Sequence, residues 1–534
     1  MSNNYFGITA LESTDFYKTG HIYQYPKGTE EVYSNGTFRG DKWASNLVLP
    51  DFDHKIVWFG LQAIIQWLFV DFWNETFFNQ PKNEILADYQ ALMDETLGVG
   101  SVKTDHIAAL HDLGYLPIRI KELPEGSRVG LRVPCFTIVN TKPEFFWLTN
   151  FLETQLSAEV WKPVTVATLS REFRRLFDKY AELTGTDPSF VPWQGHDFSA
   201  RGMSGIFDSP HCAAGHLLSF TGTDVVSSIN YIKKFYSPTG FIGGSVAATE
   251  HSVMCLGGEG NQELVTFKRL ITEVYPKGIV SIVSDTWDFW QVINEYAKTL
   301  KPEILARTGK VVFRPDSGDP VKIICGYYYA EPDDVIVNDT EAVIIDNKYY
   351  EVIPDSSDTG WHTGKELSWT EIKGAVECLW DIFGGTTTNK GYKLLDSHVG
   401  LIYGDSITLD RAQRILVRLE EQGYASGNIV FGIGSFTYNC LTRDTFGFAI
   451  KSTSGVISGQ RKEIYKQPKT DDGLKNSACG LIRVEQDSEG EFILLDRQSI
   501  EEEKLGKLIT IFEDGEVFNH QNLIYIRGRL NVAI

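Results

Sequence analysis

The chain has 534 residues, of which 42% are hydrophobic and 22% charged; it is long enough for two or three domains around a large core and has the composition of an ordinary globular protein. Its formal net charge of −20 argues against a nucleic-acid partner, because phosphate backbones require clustered Lys and Arg. An anionic small molecule is not excluded, since charges are screened over about 8 Å at physiological salt and a local basic pocket can outweigh a distant acidic surface.

The seven cysteines (135, 212, 255, 325, 378, 440 and 479) are scattered, odd in number and form no C-x-x-C pair. This predicts free thiols in a reducing compartment rather than disulfides or a zinc site. Residues 1–14 contain no basic stretch followed by an apolar run, so no secretory signal is expected. The most apolar stretch, 56–70, is interrupted by Gln62 and Gln66 and ends at Asp71; it is too short to cross a bilayer and predicts a buried helix. A cytoplasmic protein with no membrane partner is expected.

In chain order, short strands are predicted at 116–121, 128–133 and 136–139, around turns at Pro124-Glu125-Gly126 and Pro134. A recurring unit follows: an apolar run, a polar or glycine-rich turn, then often a helix. Residues 279–283 lead into Ser284-Asp285 and a helix over 287–300, with Phe289, Trp290, Ile293, Tyr296 and Leu300 at helical spacing. Residues 311–313 lead into Arg314-Pro315-Asp316-Ser317-Gly318. The segment 321–370 is strand-like, with a hairpin turn at Asp346-Asn347-Lys348, and predicts an insertion between two barrel strands. Residues 399–403 lead into Gly404-Asp405 and a helix over 409–422 that places Ala412, Ile415, Leu416 and Leu419 on one face. Residues 429–431 lead into Gly432-Ile433-Gly434-Ser435, and further strands are predicted at 492–495 and 508–512. Apolar strands alternating with amphipathic helices predict an α/β barrel over 161–447. A mixed β-rich domain is expected from 1–160 and 448–534.

In such folds the loops after the strands' C-terminal ends build the site. The stretch 195–251 carries His196-Asp197-Phe198-Ser199-Ala200-Arg201-Gly202, Gly222-Thr223-Asp224, and Ser245 through Glu250-His251. Aromatic, guanidinium, carboxylate and imidazole groups among small residues suit a ligand with a flat ring and negative charge. His251 by itself is more often structural than catalytic, and Asp285 at another strand end could orient it. His196-Asp197 reads equally as a turn with a satisfied histidine. Asp316 and Asp405 suit paired ribose hydroxyls and Arg314 suits phosphate, although Pro315-Asp316-Ser317-Gly318 is also a good turn sequence. The backbone around Gly432, Gly434 and Ser435 could cradle a phosphate, with Arg443 nearby. Lys451, Lys466 and Lys475 read from composition as solvated surface.

Ordered blocks along the chain carry a resemblance. They include Thr14-Asp15-Phe16-Tyr17-Lys18, Phe59-Gly60-Leu61-Gln62, Trp147-Leu148-Thr149-Asn150, Phe220-Thr221-Gly222-Thr223-Asp224, Glu250-His251-Ser252, Arg314-Pro315-Asp316-Ser317-Gly318, Gly391-Tyr392-Lys393 and Leu441-Thr442-Arg443-Asp444. To about residue 480 the chain resembles the nicotinamide phosphoribosyltransferases of the type II phosphoribosyltransferase family. The resemblance implies an irregular α/β barrel with an additional β-rich domain, and a head-to-tail homodimer with shared active sites. It implies nicotinamide, 5-phosphoribosyl-1-pyrophosphate and ATP as substrates, and Mg²⁺ held through the substrate pyrophosphate rather than by a dedicated ligand set. It further implies that Phe198 and, across the dimer, Tyr17 sandwich a pyridine ring. Asp224 would accept the carboxamide N–H₂, and Asp15 (across the dimer), Ser245 and Arg314 would complete that pocket. Asp316, Gly404 and Asp405 would hold the ribose, and Gly434, Ser435 and Arg443 the 5′-phosphate. Arg201, Lys466 and Lys475, with Arg39 and Lys451 across the dimer, would hold the pyrophosphate. His251, oriented by Asp285, would be phosphorylated by ATP. The chain departs from the family at Ser435 and Phe436, where glycines are expected, and in the larger 321–370 insertion. A nicotinate-specific enzyme and a catalytically silent binding relative are the alternatives.

Overall fold

A computed structural model describes residues 7–355, 360–465 and 478–531. Its centre is a sheet of seven short parallel strands: Gly195–Asp197, Gly222–Thr223, Ala247–Ala248, Val280–Val283, Val311–Arg314, Val399–Tyr403 and Ile429–Ile433. Numbered along the chain, their spatial order is second, first, seventh, sixth, fifth, fourth, third. The two outer strands meet through a parallel bridge between Gly222 and Gly244, with Thr223 N–H on Gly244 O at 2.9 Å and Gly244 N–H on Thr221 O at 2.8 Å. The sheet thereby closes into an irregular barrel. Inward apolar residues such as Val280, Ile282, Val311, Phe313, Leu401, Phe431 and Ile433 are buried, as expected for strands covered on both faces.

Four of these strands lie where the apolar runs predict them, and the helix Leu409–Glu421 buries the predicted face of Ala412, Ile415, Leu416 and Leu419. The helix predicted over 287–300 is present from Phe289 to Thr299, with a wide turn in its middle. Three expectations are corrected. The 56–70 stretch opens as the strand Lys55–Val57; helix begins only at Leu61, after Gly60 takes φ 108°, and runs on in wide turns through Ile65–Phe72. Pro134 starts a strand rather than making a turn, a position where its missing N–H is tolerated. The insertion begins as the helix Pro320–Cys325, capped by Asp319, and only then forms a four-stranded sheet. Its hairpin turns on Asp346 and Asn347, both with positive φ, between the paired residues Ile345 and Lys348; this is the two-residue turn whose twist matches its strands.

A second seven-stranded sheet draws on both ends of the chain. Its order is Gln460–Glu463, Phe448–Ile457, Thr29–Phe38, Pro134–Asn140, Ile118–Glu122, Ile509–Glu513 and Glu516–Val517, all antiparallel. The 32-residue helix Glu153–Thr184 joins the two bodies. Leu156, Val160 and Val164 on its first half enter the core of the N-terminal body, and Val166, Leu169, Phe173 and Phe177 enter the barrel core. A domain boundary drawn at 160/161 thus falls inside one helix.

The C-terminal strands are fastened to the N-terminal sheet by charge. Lys121 Nζ donates to both carboxylate oxygens of Glu503 at 2.8 Å and to its carbonyl at 3.1 Å, with both side chains about nine-tenths buried. Removing one partner of such a pair leaves a buried, uncompensated ion. Glu503→Ala is expected to lower stability by about 3 kcal/mol, read as a drop in the urea midpoint; an unchanged midpoint would show that the pair contributes nothing.

Candidate active site

The C-terminal ends of the barrel strands carry one continuous chain of polar contacts. The first strand ends with His196, Asp197 and then Phe198, whose N–H donates to Ile433 O at 2.9 Å on the neighbouring seventh strand. The Phe198 ring lies across the barrel mouth. A Cβ at Gly432 would lie 2.4 Å from that ring, and one at Gly404 3.1 Å from it. Gly432 is therefore required by the close approach of an aromatic ring. Its place inside a strand was the available signal, since glycine there marks a close contact.

His196 is buried, and its Nε2 meets Asp224 Oδ1 at 2.9 Å. Its placement on a strand, bonded to Asp224, decides against a turn. Ser245 Oγ donates to the same Asp224 oxygen, so strands one, two and three converge on a single carboxylate. Partial burial opposes the charge on Asp224. The hydrogen bond and charge of His196, the Ser245 hydroxyl and the nearby Arg314 outweigh that burial and hold the carboxyl below its ordinary value. Asp197 behaves in the opposite way: complete burial pushes it up to about 6 despite its hydrogen bond from Ser199 N–H at 2.8 Å. It serves the loop, not the opening.

The contacts continue from Phe198. Its ring lies 5.0 Å from that of His196 and 5.1 Å from the Arg314 guanidinium. Arg314 Nη2 donates to Asp316 Oδ2 at 3.3 Å, and its Nε is buried with no hydrogen-bond partner among the described residues. Asp285 Oδ2 accepts from Asp316 N–H at 2.8 Å and Ser317 Oγ at 2.6 Å. Its Oδ1 is buried with no hydrogen bond among the described residues and lies 3.5 Å from His251 Nε2. The His251 side chain is 48% exposed against 6% for Asp285, so an accessible imidazole stands over a fixed carboxylate. Asp405 is exposed beside Gly404 and accepts from Ser406 Oγ at 3.1 Å.

Gly434 precedes the one-turn helix Ser435–Tyr438 and has open space where a Cβ would be. Ser435 packs directly on Gly202, close enough that a Cβ there would collide with its hydroxyl. This draws the Arg201 loop against the Gly434 turn. Asn439 Nδ2 adds a bond to Gly202 O at 3.0 Å, and Lys162 Nζ reaches Asn439 Oδ1 at 2.7 Å and Asp208. Asp208, His211 and Cys212 come within metal-ligand reach of one another. The Lys162 ammonium already matches the Asp208 charge, so a cation has no electrostatic advantage there. Arg201 and Arg443 are exposed at the surface.

The remaining expected residues lie elsewhere in the same chain. Asp15 accepts from Thr154 Oγ1 at 2.6 Å, and Tyr17 is 62% exposed against His21. Arg39 Nε donates to Gly447 O at 3.0 Å at the end of the second sheet, and Lys451 pairs with Asn35 on that sheet. Lys466 and Lys475 lie outside the described residues.

His196 sets the charge state of Asp224. The depressed Asp224 carboxyl contributes stability at pH values above its unfolded value, and that contribution fades as pH falls through the folded one. In His196→Leu the carboxyl is expected to titrate at higher pH than in the parent, measured by NMR of labelled aspartate; an unmoved midpoint would remove His196 as the cause.

Residues 193–492 match the nicotinate phosphoribosyltransferase (NAPRTase) family. The chain is 54% identical over 531 residues to a nicotinamide phosphoribosyltransferase of Acinetobacter baylyi, covering 98% of this chain and 97% of that one. It is 32% identical over 476 residues to the Mycoplasma pneumoniae protein of the same name, covering 86% and 92%. Among solved structures, nicotinate-nucleotide pyrophosphorylase of Pyrococcus furiosus superposes with a TM-score of 0.53 at 14% identity, covering 100% of this chain and 98% of that one. Human nicotinic acid phosphoribosyltransferase superposes with 0.53 at 13%, covering 97% and 93%; these two support the fold alone. The chain belongs to the nicotinate phosphoribosyltransferase family.

Proposed function

We propose that the chain is a nicotinamide phosphoribosyltransferase. It transfers the 5-phosphoribosyl group of 5-phosphoribosyl-1-pyrophosphate to nicotinamide, giving nicotinamide mononucleotide and pyrophosphate for NAD biosynthesis. The observation that carries this reading is Asp224, an ionised acceptor fixed by His196 and Ser245 beside the Phe198 ring. A carboxamide can donate N–H to it. A nicotinate carboxylate would face like charge there, and like charges in contact cost several kcal/mol.

Phe198 and Tyr17 of the partner subunit stack on the two faces of the pyridine ring, worth roughly 0.5–1.5 kcal/mol beyond buried area. Arg314 and Asp15 of the partner subunit border the slot. Asp316, Asp405 and the Gly404 backbone take the ribose hydroxyls; Gly434, Ser435 and Arg443 take the 5′-phosphate. Arg201, Lys466 and Lys475, with Arg39 of the partner subunit and Lys451 of the partner subunit, take the pyrophosphate. The exposure of Tyr17 on the chain's own surface supports its use by a second copy in a homodimer. The unpaired state of all seven cysteines supports the cytoplasm, and no helix among the described residues is long and apolar enough to cross a membrane.

In the transfer, the pyridine nitrogen lone pair forms the bond to ribose C1. The C1–O bond breaks with its electron pair leaving on pyrophosphate, through an oxocarbenium-like transition state. Fixed positions and charge supply the rate. Asp316 and Asp285, whose Oδ1 makes no hydrogen bond among the described residues, offer the hard oxygen donors that suit Mg²⁺ entering with the pyrophosphate. Bound there, Mg²⁺ would supply neutralising charge to the leaving group. ATP is the co-substrate at His251: an imidazole nitrogen takes the γ-phosphoryl group and ADP leaves, with Asp285 stabilising the charged ring.

Purified protein given phosphoribosyl pyrophosphate, Mg²⁺ and equal nicotinamide and nicotinate should form nicotinamide mononucleotide, identified by mass; the acid mononucleotide as main product would assign the sister activity instead. His251→Ala should abolish ATP hydrolysis coupled to product formation and reduce the final yield, while leaving the base preference intact. Unchanged ATP turnover and yield in that variant would refute its role.

A further inference from the structure

The last helix among the described residues, Leu523–Asn531, lies beyond the 193–492 stretch. Leu523, Ile526 and Leu530 are buried in a cluster with Ala214, Leu217, Ile232 and Ile242, so the helix packs on the outer helices of the barrel's first crossovers. Between these apolar contacts Arg527 is directed into the protein. Its Nε and Nη2 donate to Leu217 O at 2.8 and 2.5 Å, Nη2 also donates to Ile242 O at 2.5 Å, and Nη1 donates to Phe241 O at 3.1 Å. Burial alone pushes the guanidinium down to about 10, so it remains a cation at neutral pH, met by carbonyl dipoles rather than by a carboxylate. Leu217 caps the C-terminal end of the helix Asp208–His216, where free carbonyls and the helix dipole favour a cation.

These carbonyls belong to the two runs that end in the base pocket. Leu217 leads through Thr221 to Asp224, and Phe241-Ile242 lead through Gly243 and Gly244 to Ser245. The runs are bonded to each other only one layer away, at the Gly222–Gly244 bridge. A Cβ at Gly243 would lie 2.7 Å from the Leu217 side chain. Leu523 N–H on Tyr236 O at 3.2 Å and Asn522 on Ser237 O pin the start of the second run from the same segment. One guanidinium fork therefore spans both runs behind the bridge.

We infer that Arg527 is a positioning residue for base recognition: its fork on Leu217, Phe241 and Ile242 fixes the spacing of Asp224 and Ser245, and hence the affinity for the base. This rests on the reading of Asp224 and Ser245 as the carboxamide pocket. Steady-state kinetics on the full-length enzyme test it with Arg527→Lys, which keeps the charge but not the fork, and Arg527→Met, which keeps the packing alone. Leu530→Ala is the control, loosening the same helix without touching the carbonyls. The KM for nicotinamide should rise about tenfold in the Met variant and less in the Lys variant. The KM for phosphoribosyl pyrophosphate and kcat should stay within about twofold. Unmoved KM values in both variants, or an equal rise in Leu530→Ala, would overturn the inference. If Arg527→Met does not fold, the Lys variant against Leu530→Ala decides by the same criterion. Wild-type turnover is measured first: its absence removes the functional reading, whereas an active wild type with unmoved variants removes only the role of Arg527.

Discussion

The barrel closes where two glycine backbones meet, Gly222 against Gly244, and the hydrogen bonds on either side fix the strands that carry Asp224 and Ser245. A side chain on Gly222 would strike His196, and the close approach at Gly243 leaves no room between Leu217 and Thr221. Without this closure the second and third strands would be two free sheet edges, each with unpaired N–H and C=O groups. With it, a serine and a histidine from different strands reach the same carboxylate oxygen. The rest of the mouth is built outward from that point.

Charge in the mouth is arranged by adjacency. Asp224, His196, Phe198, Arg314, Asp316, Asp285 and His251 touch in sequence across the strand ends. The carboxylates of Asp224, Asp316 and Asp285 lie among imidazole and guanidinium groups, Asp316 meeting Asp285 through its backbone N–H, and the Phe198 ring sits between an imidazole and a guanidinium. In this series of contacts Arg314 Nε and Asp285 Oδ1 keep unused capacity in the interior, with no hydrogen-bond partner among the described residues. A buried polar atom without a partner costs free energy. In a chain with net charge −20, the Arg314 guanidinium is the fixed cation of this series.

The barrel was legible because its strands are buried on both faces and read as unbroken apolar runs, as at 280–283 and 399–403. The helix 409–421 was legible from its one-sided face. The 56–70 stretch misled because the same apolar residues serve a short strand, a left-handed glycine and then a helix. Composition cannot place such a break. Within the site, strand-end carboxylates and Arg314 could be singled out by position alone, but His196 and Gly432 could not be given their work. One acts through a partner 28 residues away, and the other by making room for a ring 234 residues distant. Arg527 carried no signal at all, since its acceptors are backbone carbonyls, which every residue possesses.

The helix Glu153–Thr184 feeds two hydrophobic cores along a length of about 48 Å at the usual rise per residue. Its first half is sealed by the N-terminal body and its second by the barrel. Neither body can be excised intact, because any cut near residue 160 strips one apolar flank of the helix and leaves the other fragment with a groove where the helix had been. The chain is consequently bound to melt as one cooperative unit rather than piece by piece. An insertion tolerated in the exposed 346–347 hairpin would not be tolerated here, where a single added residue rotates every following side chain by about 100°.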